Sequence, residues 1–167
     1  MAAKLGHKPI VTILLANGAE LNSQFHFVEY PKGYQGSTPL IEASRGSFIE
    51  IMQQLIFKGA EINRIDELSY DLYDVTAVIE ATKKEDLSTV KLLVENGADL
   101  NIGRTRKCKV DEKKSTALDF TFDQYIGNLP IEFLMNEFNT TPTFEYLQEK
   151  GALLSLPQSC PEDQGPR

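Results

Sequence analysis

Tryptophan is missing from this 167-residue chain, and cysteine and histidine occur only twice each. The two cysteines, Cys108 and Cys160, are too few to build a disulfide framework, so we expect a reducing, cytoplasmic environment. His26 has no Cys or His neighbour at the spacing that zinc ligands require. We therefore predict no metal site.

Long apolar runs are also missing, and no stretch approaches the ~18 apolar residues of a membrane-spanning helix. The N-terminal segment has early lysines and an apolar run at residues 10–16, as a signal peptide does. Its ending recurs twice deeper in the chain, however. We interpret it as part of a repeated unit and expect neither a signal peptide nor membrane insertion.

Positive charge is scarce: 17 Lys and Arg residues face 24 Asp and Glu residues, giving a net charge of -7. This balance disfavours nucleic acid as a partner and favours a protein with a basic or mixed-charge surface. The sequence also lacks a nucleophile elbow, a phosphate-binding loop, an H-E-x-x-H motif and an Asp-rich calcium loop. We predict a protein that is not an enzyme and binds no cofactor, with an enzyme as the less favoured alternative.

One short motif occurs three times, as NGAELN at residues 17–22, KGAEIN at 58–63 and NGADLN at 96–101. Each copy follows apolar residues at helical spacing, and its glycine can end a helix because glycine enters the left-handed region at no steric cost. Thr38 and Thr76 each lie 21 residues before the next such glycine (59 − 38 and 97 − 76) and are predicted helix N-caps.

These motifs resemble the ankyrin repeat family, whose unit of about 33 residues starts with T-P-L-H-x-A and leaves its second helix through G-A-D-V-N. The resemblance covers residues 1–155 and implies an all-α solenoid of about four helix pairs with extended β-hairpin or loop fingers. Gly6-His7 precedes Gly18 as G-H does in the family, so the chain is expected to begin within a repeat of a longer array. The proline-rich tail at 156–167 is expected to be disordered.

The segments between an exit motif and the next helix pair, here called fingers, are longer than in the family. Exit glycines lie 41 and 38 residues apart (59 − 18 and 97 − 59), and such insertions form loops on one face of the solenoid. In the first finger, the alternation of Phe25 and Phe27 before Pro31-Lys32-Gly33 predicts a β-hairpin. The second finger, 64–75, is acidic and aromatic, and the third, 102–115, begins with cations.

The C-terminal part departs from the repeat. Thr116 starts another helix, after which helical patterns occupy residues 129–138 and 142–150. The second pattern follows the cap-like Thr140-Thr141 and stops at Gly151. We predict that it is a C-terminal capping helix, since a terminal unit must present one polar face to water.

The resemblance implies that the chain binds another protein through its fingers and a concave groove. Aromatic finger residues suit an interface, but rings also pack, and both interpretations stay open: Phe25 and Phe27 as packing residues, Tyr30 and Tyr34 as contacts. At the groove, a solvated turn is the alternative for the cations. The predicted partner-binding residues are Phe25, Phe27, Tyr30, Tyr34, Arg45, Tyr70, Tyr73, Lys83, Lys84, Arg104 and Arg106.

The resemblance also makes Asn22, Asn63 and Asn101 candidate sites for asparaginyl hydroxylation, against a purely hydrogen-bonding role in the turn. Two roles remain open within the binding class. One is a recruiting arm of a larger adaptor or effector protein, located in the host cytosol if the effector is bacterial. The other is a stand-alone inhibitor or immunity-type protein whose acidic surface masks a basic toxin or enzyme.

Overall fold

A computed structural model describes residues 1–23, 37–65, 75–102 and 141–152, and the backbone of residues 26–27 and 34–35. The third finger beyond Ile102, the helical pattern at 129–138 and the tail at 156–167 lie outside these ranges. The described helices are α1 (Lys8–Ala16), α2 (Pro39–Arg45), α3 (Ile49–Phe57), α4 (Ala77–Lys83), α5 (Leu87–Glu95) and α6 (Pro142–Glu149).

The helices form two rows. Helices α2 and α4 pack side by side and are called the inner row; α1, α3, α5 and α6 follow one another in the outer row. Each inner helix also packs on the outer helix that follows it in the chain, α2 on α3 and α4 on α5. This stack of helix pairs confirms the predicted all-α repeat solenoid.

Side-chain caps start three of the helices. Thr38, in an extended conformation, accepts a hydrogen bond from the N–H of Ile41 at 3.3 Å, and Thr76 accepts one from Ile79 at 3.4 Å. Each bond satisfies one of the amides that the first helical turn leaves without a partner. Both predicted N-caps are confirmed, and Thr141 caps α6 in the same way.

All outer helices end alike. Their exit glycines have φ values between 77° and 93°, a region that favours glycine. The residue after each glycine donates its N–H to a carbonyl five residues earlier, closing a Schellman-type turn at 3.0 Å. These bonds are Ala19 to Leu14, Ala60 to Leu55, Ala98 to Leu93 and Ala152 to Leu147. The predicted capping helix α6 therefore occupies the place of an outer helix, directly after α5.

The turns that join inner to outer helices also repeat. Gly6, Ser47 and Glu85 have φ values of 70°, 55° and 53°, and each lies twelve residues before an exit glycine (18 − 6, 59 − 47 and 97 − 85). His7 donates its N–H to the Ala2 carbonyl at 3.0 Å, and the equivalent amides after α2 and α4 make the same bond. Residues 1–6 therefore end as an inner helix ends.

The core follows this register. Residues seven and four positions before an exit glycine are buried in α3, α5 and α6, and burying each large apolar side chain contributes about 1.5–3 kcal/mol. They are Met52 and Leu55, Val90 and Leu93, and Phe144 and Leu147.

The first finger contains the predicted antiparallel pairing. Strand β1 (His26–Phe27) pairs with β2 (Tyr34–Gln35), with Phe27 opposite Tyr34 and His26 opposite Gln35. The finger therefore leaves the solenoid as a hairpin whose two strands start directly beside the helix pairs.

Candidate protein-interaction surface

The inner row carries a line of alternating charges, here called the inner-helix ladder: Glu42, Arg45, Glu80 and Lys83. The Nη1 atom of Arg45 lies 2.7 Å from Glu42 Oε1, and its Nε atom lies 3.2 Å from Glu80 Oε2. Lys83 Nζ lies 3.3 Å from Glu80 Oε1. Arg45 thus joins α2 to α4 by bonding a carboxylate on each helix.

Helical spacing explains this arrangement. Glu42 and Arg45 are three residues apart, as are Glu80 and Lys83, so each pair shares one face of its helix. Side-chain exposures in the ladder range from 12% to 34%, so every group remains in contact with water. Exposed pairs of this kind contribute about 0.2–1 kcal/mol each. The ladder therefore fixes side-chain positions more than it stabilises the fold.

Two further residues tie the ladder to the backbone. The Ser37 hydroxyl donates to Glu42 Oε1 and accepts a hydrogen bond from Arg45 Nη1 at 3.1 Å. The exposed Lys84 donates from Nζ to the carbonyl of Arg45, across the boundary between two repeats. Arg45, Lys83 and Lys84, all predicted as partner-binding residues, therefore meet at the C-terminal ends of α2 and α4 and are held there by internal contacts.

The remaining predicted contact residues are described only in part. The structure gives the backbone of Phe27 and Tyr34, as partners across the hairpin. The other finger residues lie outside the described ranges: Phe25, Tyr30, Tyr70, Tyr73, Arg104 and Arg106. Their role in partner binding stays a prediction.

The exit asparagines connect successive repeats. Asn22 Oδ1 accepts the N–H of Glu61 at 2.9 Å, and its Nδ2 donates to the Glu61 carboxylate at 3.1 Å. Asn63 Oδ1 accepts the N–H of Asp99 at 2.8 Å, while its Nδ2 donates to the Gly97 carbonyl at 3.1 Å. Asn101 lies at the same place in the third exit, where its N–H donates to Asp99 at 2.9 Å. These contacts support the hydrogen-bonding role, and hydroxylation stays a prediction.

A further contact between repeats centres on Asp86, the N-cap of α5. Its carboxylate accepts the Thr89 N–H at 3.2 Å and the Thr89 hydroxyl at 2.6 Å. Burial raises the pKa of the Asp86 carboxyl, but hydrogen bonds from the side chains of Thr89 and Ser47 and from two backbone amides hold that pKa below its ordinary value. Since Ser47 belongs to the preceding helix pair, this cap also joins two repeats.

Sequence inspection missed the connection between Arg45 and Glu80. The acid–base pairs recur 38 residues apart (80 − 42 and 83 − 45), and this repetition was a usable signal for one shared column of charge. It could not show that Arg45 would reach the carboxylate of the next repeat.

Two other kinds of site were searched for. No group of three or more His, Cys, Asp or Glu residues is placed to hold a metal ion within the part of the chain that the structure describes. Across the same part, none of the helices is long and apolar enough to cross a membrane.

Stacked helix pairs with glycine exits, cross-repeat asparagine bonds and a charged inner row define a helical repeat solenoid of the kind that binds other proteins. The family model for ankyrin repeats matches residues 1–104 in three copies. The chain belongs to the ankyrin repeat family, whose members serve in general as non-enzymatic protein–protein interaction modules.

Three relatives place this family membership in context. An ankyrin repeat protein of Acanthamoeba polyphaga mimivirus is 36% identical over 62 residues, which cover 37% of this chain and 38% of the relative. One from Rickettsia felis is 31% identical over 105 residues, covering 60% of this chain and 42% of the relative. An E3 ubiquitin-protein ligase of Arabidopsis thaliana is 37% identical over 68 residues, covering 41% of this chain and 12% of the ligase. The chain spans less than half the length of each.

Proposed function

We propose that this chain binds a partner protein through its fingers and the surface of its inner row, as the recruiting arm of an adaptor or effector in the cytoplasm. The inner-helix ladder carries this proposal. Its charged groups are partly exposed and already held by hydrogen bonds on two packed helices. A preorganised surface loses little side-chain entropy on binding, so more of the contact energy appears as affinity.

The ladder also suggests the character of the partner. It contains two carboxylates and two cations, so its charge is balanced although the chain as a whole carries -7. A partner that docks on the inner row would therefore present mixed charges in a matching order, while the acidic second finger would favour basic groups beside them.

The fingers are tested first, by affinity capture from lysate with wild type and the double variant Tyr30→Ala, Tyr34→Ala. We expect the double variant to bind the captured protein more weakly by about 1–3 kcal/mol, with an unchanged thermal melt. The matched control is Phe57→Ala, which removes an aromatic ring that is 88% exposed at the end of an outer helix. Equal losses for the control and the double variant would contradict a role for the first finger.

The inner row is tested on the same captured partner. Arg45→Ala breaks the contacts with both Glu42 and Glu80, whereas Lys58→Ala removes a cation at the C-cap of α3 in the outer row. We expect only Arg45→Ala to weaken binding. If both variants bind like wild type while the finger variant does not, the fingers alone form the interface.

The excess of negative charge favours a second candidate, a stand-alone inhibitor or immunity-type protein that masks a basic toxin or enzyme. This role requires the isolated chain to abolish the activity of its partner, with an association rate that falls steeply as salt is added. A recruiting arm would bind its partner and leave that activity intact.

A further inference from the structure

The outer face of α1 is uncovered where its counterparts are buried. Ile10 and Leu14 lie eight and four residues before Gly18 and are 49% and 47% exposed. The equivalent residues of α3, Ile51 and Leu55, are 2% and 1% exposed, and the equivalent positions of α5 and α6 are buried as well. Position in the repeat therefore predicts burial for this pair, and α1 does not provide it.

The packing of the outer row identifies what is missing. Helices α3 and α5 each lie between two other outer helices. Among the described residues, α1 packs on α3, which covers Val11 and supplies Glu50 and Gln54 as partners for Lys8 and Thr12. The exposed pair thus marks the side of α1 on which a neighbouring helix is absent.

Exposed apolar side chains concentrate at this end. Within the described part of the chain, every large hydrophobic residue that is strongly exposed, apart from Phe57, lies in residues 1–14. Scattered single residues of this kind are ordinary, but a contiguous set marks an interaction surface. The opposite end differs, because the exposed residues of α6 are mainly polar, including Glu145, Gln148 and Glu149.

The charges argue against a second copy of the chain as the occupant. Residues 1–19 contain Lys4 and Lys8 and no Asp or Glu. Two such faces brought together would place cations opposite cations, which costs free energy. A helix pair of the repeat type avoids this cost, as α3 does where Glu50 meets Lys8 at 2.8 Å.

We propose that this face, formed by Ile10 and Leu14, is a repeat-docking surface that takes one further ankyrin helix pair, joined ahead of Met1 in the same polypeptide. The new pair stacks on α1 as α1 stacks on α3. Met1 is equivalent to Glu80, since both lie 17 residues before an exit glycine (18 − 1 and 97 − 80). Residues 1–6 then complete the inner helix that belongs to α1. The proposal concerns stacking and is independent of the partner-binding function.

The register defines the test. A copy of residues 38–79 is placed directly before Met1, which supplies α2, α3, the second finger and the first turn of α4 ahead of residues equivalent to 80–85. Hydrogen exchange is then measured on the chain with and without this extension. We expect the α1 amides to exchange about tenfold or more slowly in the extended chain, because α1 becomes an internal helix, while α6 amides change little.

Substitutions identify the face. In the extended chain, Leu14→Asp should remove the added protection of α1, whereas in the original chain it should change little because Leu14 is exposed there. Ile13→Asp is the matched control: Ile13 is 63% exposed and occupies the position of the polar Gln54. If Leu14→Asp prevents the extended chain from folding, Leu14→Ala gives the same comparison with a smaller change.

Three results would overturn the proposal. Exchange of the α1 amides could be the same with and without the extension. Leu14→Asp and Ile13→Asp could have equal effects in the extended chain. Sedimentation of the original chain could reveal a dimer that Leu14→Asp dissociates, which would assign the face to a second copy.

Discussion

Replacing Glu85 by glycine should raise the free energy of unfolding. Glu85 has a φ of 53°, in the left-handed region, which costs a residue with a Cβ about 1–2 kcal/mol. Glycine occupies this conformation freely, and Gly6 already does so at the equivalent turn with a φ of 70°. The Glu85 carbonyl, which accepts a hydrogen bond from Thr143 at 3.3 Å, is retained.

The gain is smaller than the strain because glycine also has more freedom in the unfolded chain. That freedom costs about 0.4–1 kcal/mol, so we expect a net gain of about 0.5–1 kcal/mol for Glu85→Gly. Ser47→Gly relieves the same kind of strain but loses the hydrogen bond between Ser47 and Asp86, so it should gain less.

Urea unfolding followed by far-ultraviolet circular dichroism measures these differences. Glu85→Ala is the matched control, because it removes the charge and keeps the strained backbone. Gln53→Gly provides the opposite case, since Gln53 is exposed inside α3 and should lose about 1 kcal/mol. The reasoning is refuted if Glu85→Gly is no more stable than Glu85→Ala.

Three further substitutions test contacts between repeats. Asp86→Ala removes the α5 cap and should cost about 0.5–2 kcal/mol at neutral pH. The folded-state pKa of Asp86 is lowered, so its contribution is complete above the unfolded-state pKa of about 3.9 and is lost as pH falls through the folded value. The stability difference from wild type should therefore narrow in acid, and a difference independent of pH would contradict this. Asn63→Ala leaves the Asp99 N–H without its partner and should cost about 1 kcal/mol or more in urea unfolding, whereas a cost near zero would show that water replaces the amide. Glu80→Gln weakens both ion pairs of Glu80 and should lower the midpoint less in high salt than in low salt; an equal effect at both would exclude an electrostatic origin.

Much of the fold could be predicted from local signals. Thr38 and Thr76 at a fixed distance from exit glycines predicted both helix starts, because capping and left-handed exits depend on the chemistry of single residues. The antiparallel pairing of the first finger followed from an alternation of aromatic residues around a turn. The contact residues in the fingers remain predictions.

Contacts between repeats were harder to predict. The bond from Arg45 to Glu80 depends on how α2 and α4 lie side by side, and no residue near Arg45 in the sequence encodes that placement. The left-handed turns at Ser47 and Glu85 carry no glycine, so the usual signal was absent. Spacing from the exit glycines would have aligned both with Gly6.

The asparagine bonds have a consequence for how the recognition surface can vary. Asn22 and Asn63 lock each exit to the next, and each finger departs immediately after such a locked point. The roots of neighbouring fingers are therefore held at a fixed separation, whatever the length or composition of the loops beyond them. Insertions and deletions in a finger should leave the stacking energies unchanged, so binding specificity can diverge without a cost to folding.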